Sequence, residues 1–245
     1  MRDASEIGSF LEAVRADWEA SRNDFPSNTY PAEQWPIPFF GNPQTALVAT
    51  IGVNPSSNEF SPERGWRYVR ETGAWRKKLE GYFNGDVPPD DWFDPWRAGL
   101  NLLGLSYKEG TAAHFDVSFR STKAMLRNPS TDRREFRQMV ERDVSWLFRL
   151  LPLCPKLRGL LVYGPVVRHD GKIESLAAFV RKSAPRNGFS VLRDGGLGFA
   201  ARGETGSSLF LHEVCASGRE TISEQVVENL QANRDGLQRR IIGNS

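Results

Sequence analysis

The chain has 245 residues, 39% of them hydrophobic and 25% charged, with 32 Lys and Arg against 30 Asp and Glu. This is the composition of a soluble globular protein of one domain or two small ones; no run approaches the ~18 apolar residues of a membrane span, MRDASEIGSF lacks the basic and apolar regions of a secretion signal, and a net charge of +2 is too small to argue for nucleic acid by itself. Two cysteines, Cys154 and Cys215, fit no metal spacing and cannot ligate a cluster, so a reducing, cytoplasmic setting is expected.

Ile7, Phe10, Leu11, Val14 and Trp18 recur at helical spacing and predict a helix over residues 5–20. Residues 23–44 carry Pro26, Pro31, Pro36, Pro38 and Pro43. They read as an extended segment that Trp35, Phe39 and Phe40 pin to the body. Residues 46–51 are apolar without alternation, as in a strand buried on both faces of a parallel sheet. The run ends abruptly in Gly52-Val53-Asn54-Pro55-Ser56-Ser57. Ser61-Pro62-Glu63 reads as an N-cap, a proline in the first turn and an early acid. It predicts a helix or broken pair through about Phe83, interrupted at Gly73. Residues 84–95, NGDVPPDDWFDP, read as a loop, and residues 100–105 as a short apolar segment.

Residues 114–119 alternate and predict a second strand. Asp132 with Glu135 matches a capping box. The helix it opens is striped by Phe136, Val140, Val144, Leu147 and Leu151 and ends at Pro152. Residues 160–164 form a third buried strand, and Ile173, Leu176 and Val180 mark another helix. Residues 189–193 and 197–201 flank a Gly-rich turn and pair as a hairpin. Residues 208–212 give a fourth sheet strand, and Thr221 with Glu224 caps a last helix reaching about Ile241. Strands separated by helices predict one α/β domain over residues 1–245. Its expected form is a three-layer α/β/α sandwich about a mainly parallel four-stranded sheet, with residues 1–44 packed on it.

The GVNPSS turn stands at the C-terminal end of a buried strand, where α/β proteins bind ligands. It is equally readable as a simple turn with Pro55 fixing φ. Arg64, Arg67, Arg70, Arg76, Lys77 and Lys78 cluster after the first strand; Arg120, Lys123, Arg127, Arg133, Arg134 and Arg137 cluster after the second. Each cluster is either a solvated helix face or part of a phosphate-facing surface. His169 reads as a turn residue. No Gly-x-Ser-x-Gly elbow follows a strand, and Gly195-Gly196-Leu197-Gly198 lacks the Lys-Ser/Thr of a phosphate loop.

Gly52-Val53-Asn54-Pro55-Ser56 after the first buried strand, with His212 closing the last, resembles the uracil-DNA glycosylase superfamily. It resembles most the mismatch-specific branch, whose first motif is Gly-Ile-Asn-Pro-Gly. The order of elements is similar from about Thr45 to Ile241. Where the family has His-Pro-Ser, this chain reads His212-Glu213-Val214-Cys215-Ala216-Ser217-Gly218, without the proline. The cysteine count excludes the iron–sulfur branches.

The resemblance implies a uracil-DNA glycosylase-like fold and a monomeric DNA glycosylase that needs neither metal nor other cofactor. It is expected to be monofunctional, because no lysine stands at the motif positions to form a Schiff base. Asn54 would position water through its carbonyl oxygen, since an amide takes up no proton at neutral pH. Gly52, Pro55 and Ser56 would border the base. His212 would donate to an exocyclic oxygen as the departing base gains charge. Phe60 would be the platform for a base taken out of the stack. Ser217, Gly218 and Arg219 would enter the DNA, with Arg219 filling the vacated space or gripping a phosphate.

Uracil-specific relatives read their base with an amide in the second strand region. Asp116 only accepts, which favours a base with an exocyclic amine, as in cytosine. His114, two residues away on the same face, lines the pocket with it or simply pairs with it. The expected substrate is DNA carrying a damaged base or a modified cytosine, the latter in invading phage DNA. Two other readings stay open: a non-catalytic nucleic-acid binder on the same fold, and a nucleotide-processing hydrolase. For Phe60, Asp116 and His212 the structural alternatives are a core ring, a carboxylate bonding nearby backbone and a half-buried strand residue.

Overall fold

The computed structural model describes residues 4–25, 35–61, 64, 66, 71–85, 88–122, 132–167, 173–199, 207–214 and 222–242. They form helix α1 (Ala4–Ser21), the short strand β1 (Phe39–Phe40), strand β2 (Val48–Gly52), α2 (Thr72–Glu80), α3 (Asp94–Leu102), β3 (Ala112–Asp116) and α4 (Arg133–Leu150). Then come β4 (Gly159–Val162), β5 (Pro165–Val167), β6 (Ile173–Ser175), α5 (Leu176–Ser183), β7 (Ser190–Val191), β8 (Leu197–Phe199), β9 (Ser207–Glu213), α6 (Ile222–Ala232) and α7 (Arg234–Ile242).

One sheet runs in the order β1-β3-β2-β4-β9-β8-β7. Its centre, β3-β2-β4-β9, is parallel. These are the four strands expected from the apolar runs. Antiparallel β1 borders β3, and the β7–β8 hairpin joins β9 antiparallel on the other side. Every residue of β2, β3 and β4 is buried. Strands covered on both faces need no polar side chain in alternation, which is why β4 is wholly apolar and β2 carries only Thr50, while β3 buries His114 and Asp116. β3 begins two residues earlier than the alternation of residues 114–119 suggested, and the chain bends away after Asp116.

Residues paired in register share a face of the sheet. His114, Thr50, Leu161 and His212 form one such row. Helices α3 and α6 pack against each other over this face. Trp96 of α3 meets Tyr163 edge-on, and the Tyr163 hydroxyl donates to Gln225 of α6 at 3.4 Å. Helices α1, α4 and α5 form a second group, with α4 touching both α1 and α5. The arrangement is an α/β fold on a mostly parallel sheet, compatible with a three-layer sandwich. No described helix is long and apolar enough to cross a membrane.

Several boundaries differ from expectation for local reasons. The Glu71 carboxylate accepts from Gly73 N at 2.8 Å and Ala74 N at 2.6 Å, so α2 starts there and Gly73 lies in its first turn instead of breaking it. Pro62 and Glu63 lie outside the described residues. The expected loop of residues 84–95 holds a 3-10 turn at Asp91–Phe93 and the start of α3, with Pro95 in its first turn. Ile173 is 53% exposed and belongs to β6, which pairs with β5. The helix it was expected to mark begins at Leu176, with the Ser175 hydroxyl accepting from Ala178 N at 3.1 Å. The last helix is broken at Asn233 into α6 and α7.

Candidate functional site

Pairing between β2 and β3 continues past both strands. Val117 N donates to Gly52 O at 3.0 Å and Ser118 N to Val53 O at 2.9 Å. Farther on, Thr122 N donates to Pro55 O and Ser57 N to Thr122 O, each at 3.2 Å. Asn54 sits inside this zipped pair of segments, 9% exposed. Its amide nitrogen donates to Thr122 Oγ1 at 2.7 Å, to Pro55 O at 3.0 Å and, weakly, to Arg120 O at 3.4 Å. Backbone carbonyls only accept, so these contacts fix which end of the amide is NH2. The Asn54 carbonyl oxygen makes no hydrogen bond among the described residues.

Asn54 belongs to the rim of a cavity of about 450 Å³ at the C-terminal ends of β2, β3 and β4. Phe40, Phe60, Trp92, Phe93, Phe136 and Tyr163 supply its apolar wall; Asn54, Ser56, Glu59, Asp90, His114 and Asp116 supply its polar groups. Gly52, Pro55, Gly164 and Pro165 complete the edge nearest the strands. Gly164 takes φ +118°, a conformation open to glycine and closed to most other residues. Phe60 stacks on Phe40 at 5.0 Å and 8°, and Phe40 stacks on His114 at 5.3 Å and 1°. The expected platform is therefore one ring of a parallel stack of three.

His114 is held from both sides. Thr50 Oγ1 lies 2.8 Å from its Nδ1 and 2.5 Å from the Tyr107 hydroxyl. Burial pushes the Tyr107 phenol far above its ordinary range, so it stays protonated. The network closes when Tyr107 donates to Thr50, Thr50 donates to Nδ1, and Nε2–H faces Asp116 Oδ1 at 3.4 Å. Asp116 is 5% exposed, and its Oδ2 is buried with no hydrogen-bond partner. Burial raises its carboxyl pKa against the opposing pull of His114.

Gly52 lies under this pair. A Cβ there would stand 2.6 Å from Asp116 Oδ1 and 3.0 Å from His114 Nε2. Gly52→Ala is accordingly expected to displace the carboxylate and lower single-turnover activity by about 10²-fold, the usual cost of a misplacement near 1 Å. A rate like that of the wild type would remove Asp116 from the working part of the site.

No family model matches this chain, and no curated protein matches it.

The site draws together Gly52, Asn54, Pro55, Ser56, Phe60, His114 and Asp116. It does not include His212. That side chain lies on β9 in register with Leu161, two strands from β2 and level with Thr50 rather than with the rim. The strand runs on to Glu213, and His212 Nε2 meets Asn229 Oδ1 of α6 at 2.7 Å. His212→Ala should therefore destabilise the fold by about 1 kcal/mol and leave the single-turnover rate close to that of the wild type. A large fall in that rate, with binding retained, would restore the donor role implied by the resemblance. Ser217, Gly218, Arg219 and His169 lie outside the described residues.

The basic clusters separate on inspection. Arg120 is buried and bonded to Asp143 at 3.0 Å and to Ser21 Oγ at 2.6 Å, so it braces the fold and faces no phosphate. Arg76 pairs with Glu80 and Arg137 with Glu141 on their own helices. Arg133, Arg134 and Lys77 are exposed. Arg67, Arg70, Lys123 and Arg127 lie outside the described residues. Among those described, no group of three or more His, Cys, Asp or Glu side chains is arranged to hold a metal ion.

Glu59, Asp90 and Trp92 were not read from the sequence. Glu59 is 3% exposed; its Oε1 accepts from the Tyr82 hydroxyl and from Asp90 N. Its Oε2 makes no hydrogen bond and has only Arg64 Nη2 at 3.9 Å. Burial raises this carboxyl pKa too. Asp90 Oδ1 caps Trp92 N at 2.9 Å, setting the indole against the edge of His114. Spacing from Asn54 was the only available signal for Glu59, and none existed for a loop folded over from the start of α3.

Proposed function

We propose that this chain is a monofunctional DNA glycosylase that flips a damaged or modified base out of the duplex and excises it hydrolytically, leaving an abasic site. The observation that carries the reading is the state of Asn54. Its NH2 is committed to three acceptors, its carbonyl oxygen makes no hydrogen bond among the described residues, and the residue borders the cavity. An amide so held can orient one water and can do no acid–base chemistry. An aromatic platform beside it suits a base that has left the stack. No lysine is among the described residues that line the cavity, in keeping with attack by water instead of an amine.

Base identity follows from Asp116. A buried oxygen without a hydrogen-bond partner, on a residue that lines the cavity, favours a ligand that brings a donor, because an unmatched buried acceptor costs ~1–3 kcal/mol. The exocyclic amine of a cytosine-type base meets that need. We read the substrate as DNA carrying such a base, modified in phage DNA or damaged in the cell's own. The protein would act as a monomer in the cytoplasm, in the manner of the uracil-DNA glycosylase superfamily that its first motif resembles.

The engagement of His212 by Asn229 favours a second reading, a nucleic-acid binder on the same fold without catalysis. Duplexes containing uracil, hypoxanthine, xanthine, 5-hydroxymethylcytosine or glucosylated cytosine separate the two. Alkali-labile strands in a cytosine-type duplex are the expected result. Binding without strand lability supports the binder, and turnover of free nucleotides alone supports a nucleotide-processing hydrolase.

A further inference from the structure

A cytosine edge offers a donor at N4 and, next to it, the lone pair of ring nitrogen N3. An ionised carboxylate facing that edge matches N4 and repels N3. A protonated carboxyl group matches both, accepting from N4 and donating to N3. Asp116 is placed for the second case. One oxygen lies 3.4 Å from His114 Nε2, the other is buried without a hydrogen-bond partner, and the residue lines the cavity. Burial disfavours a negative charge on it, and His114 beside it favours one. Glu59, from the turn after β2, and Asp90, from the segment before α3, line the same cavity. From β2 it meets the neutral backbone of Gly52, and beyond β4 Tyr163 turns its hydroxyl to Gln225. Among the described lining residues, His114 alone is able to carry positive charge, and none is lysine or arginine. The aromatic wall withholds water, which raises the proton affinity of the carboxyl group further.

We infer that Asp116 is a catalytic acid, which protonates N3 of a flipped aminopyrimidine so that the base leaves uncharged. The inference rests on the glycosylase reading. In the step, the C1′–N1 bond breaks and its electron pair passes to N1 and the ring. The proton on Asp116 Oδ2 forms the N3–H bond, and a neutral base departs. Water held by the Asn54 carbonyl oxygen bonds to C1′ and loses one proton, which returns through solvent to the Asp116 carboxylate. One water is consumed, and one free base and one abasic sugar are formed. Because the base carries no charge away, no donor is needed at its exocyclic oxygen, which agrees with a His212 engaged by Asn229.

Two duplexes that differ only in the target base test this. One carries 5-hydroxymethylcytosine. The other carries 3-methylcytosine, whose methylated N3 gives a positive charge without any proton from the protein. General acid catalysis contributes ~10²–10⁴-fold. Asp116→Asn should therefore slow single-turnover release of 5-hydroxymethylcytosine by at least ~100-fold and abolish its fall with rising pH. Release of 3-methylcytosine by the same variant should fall much less, because the amide oxygen still accepts from N4 and only the proton is lost. Equal losses on both duplexes, or no loss on either, would overturn the assignment. The wild type gives a second measure that needs no variant. As pH rises and the acid loses its proton, the rate ratio of 3-methylcytosine to 5-hydroxymethylcytosine should rise about tenfold or more, and a ratio that stays constant with pH overturns the proposal. If the wild type releases neither these bases nor any other of the panel, the glycosylase reading falls with it. Release of 5-hydroxymethylcytosine at a pH-independent rate leaves that reading standing and removes only the acid.

Discussion

Asn54→Ala is expected to slow single-turnover base release by at least ~100-fold, the scale on which losing the placement of a reacting group is felt, while leaving duplex affinity unchanged. The side chain lies inside the paired segments after β2 and β3, where three acceptors hold its NH2, and the residue borders the cavity. Alanine keeps the turn, because Pro55 and the backbone bonds to Thr122 remain, and removes only the group that orients water. Asn54→Asp is the informative companion. It keeps an acceptor oxygen and loses the donors to Thr122 Oγ1 and Pro55 O, so partial activity is expected. Rapid-quench kinetics beside fluorescence anisotropy on one duplex separates chemistry from binding. Wild-type release by the alanine variant would contradict the assigned role.

The largest effect on stability is expected at Asp143. Arg120 and Asp143 are both buried. The guanidinium donates from Nε to Asp143 Oδ2 at 3.0 Å and from Nη2 to Ser21 Oγ of α1 at 2.6 Å; Ser118 Oγ donates to the same Asp143 oxygen at 2.6 Å. Arg120 also lies over the rings of Phe119 and Phe25. Asp143→Ala leaves this guanidinium buried without its counter-charge, which costs about 3–5 kcal/mol. For a chain of this length, that lowers Tm by ~6–20 °C, at about 2–4 °C per kcal/mol. Asp143→Leu combined with Arg120→Met should recover much of the loss, because it removes both charges and refills the space. Thermal unfolding by circular dichroism reads both effects. The Arg120 carbonyl is one of the three acceptors of the Asn54 amide, so Asp143→Ala should reduce activity as well. A Tm within ~1 °C of the wild type, a change of well under 1 kcal/mol, would mean that the pair does not brace the fold.

The strands of the sheet centre were legible because burial on both faces leaves an uninterrupted apolar signature, as in residues 46–51 and 160–164. Capping chemistry was legible where a short polar residue precedes a stripe, and Asp132 does accept from Arg134 N and Glu135 N. Helix α3 was missed because Trp92, Phe93 and Trp96 sit among acids and prolines with no clear stripe. Pro95 in its first turn was the usable signal. At the site, Asn54 was readable from its motif and its position at a strand end. Glu59 had only its spacing from Asn54 as a signal, and Asp90 reaches the cavity through long-range packing, which local pattern does not encode. His212 was read as a rim residue because it is a polar residue near the end of an apolar run, and it is not among the residues that line the cavity. The strand runs past it, and its place in the register sets it two strands from the Asn54 segment, against α6.

The most direct measurement is mass-spectrometric detection of free base after incubation with a duplex bearing a single 5-hydroxymethylcytosine, in parallel with Asn54→Ala. The account predicts release of the intact modified base, one aldehyde-reactive abasic site per base released and no strand break before alkali treatment, with the variant releasing almost none. A duplex that is bound tightly and recovered with every base in place, whichever modified cytosine it carries, would contradict it.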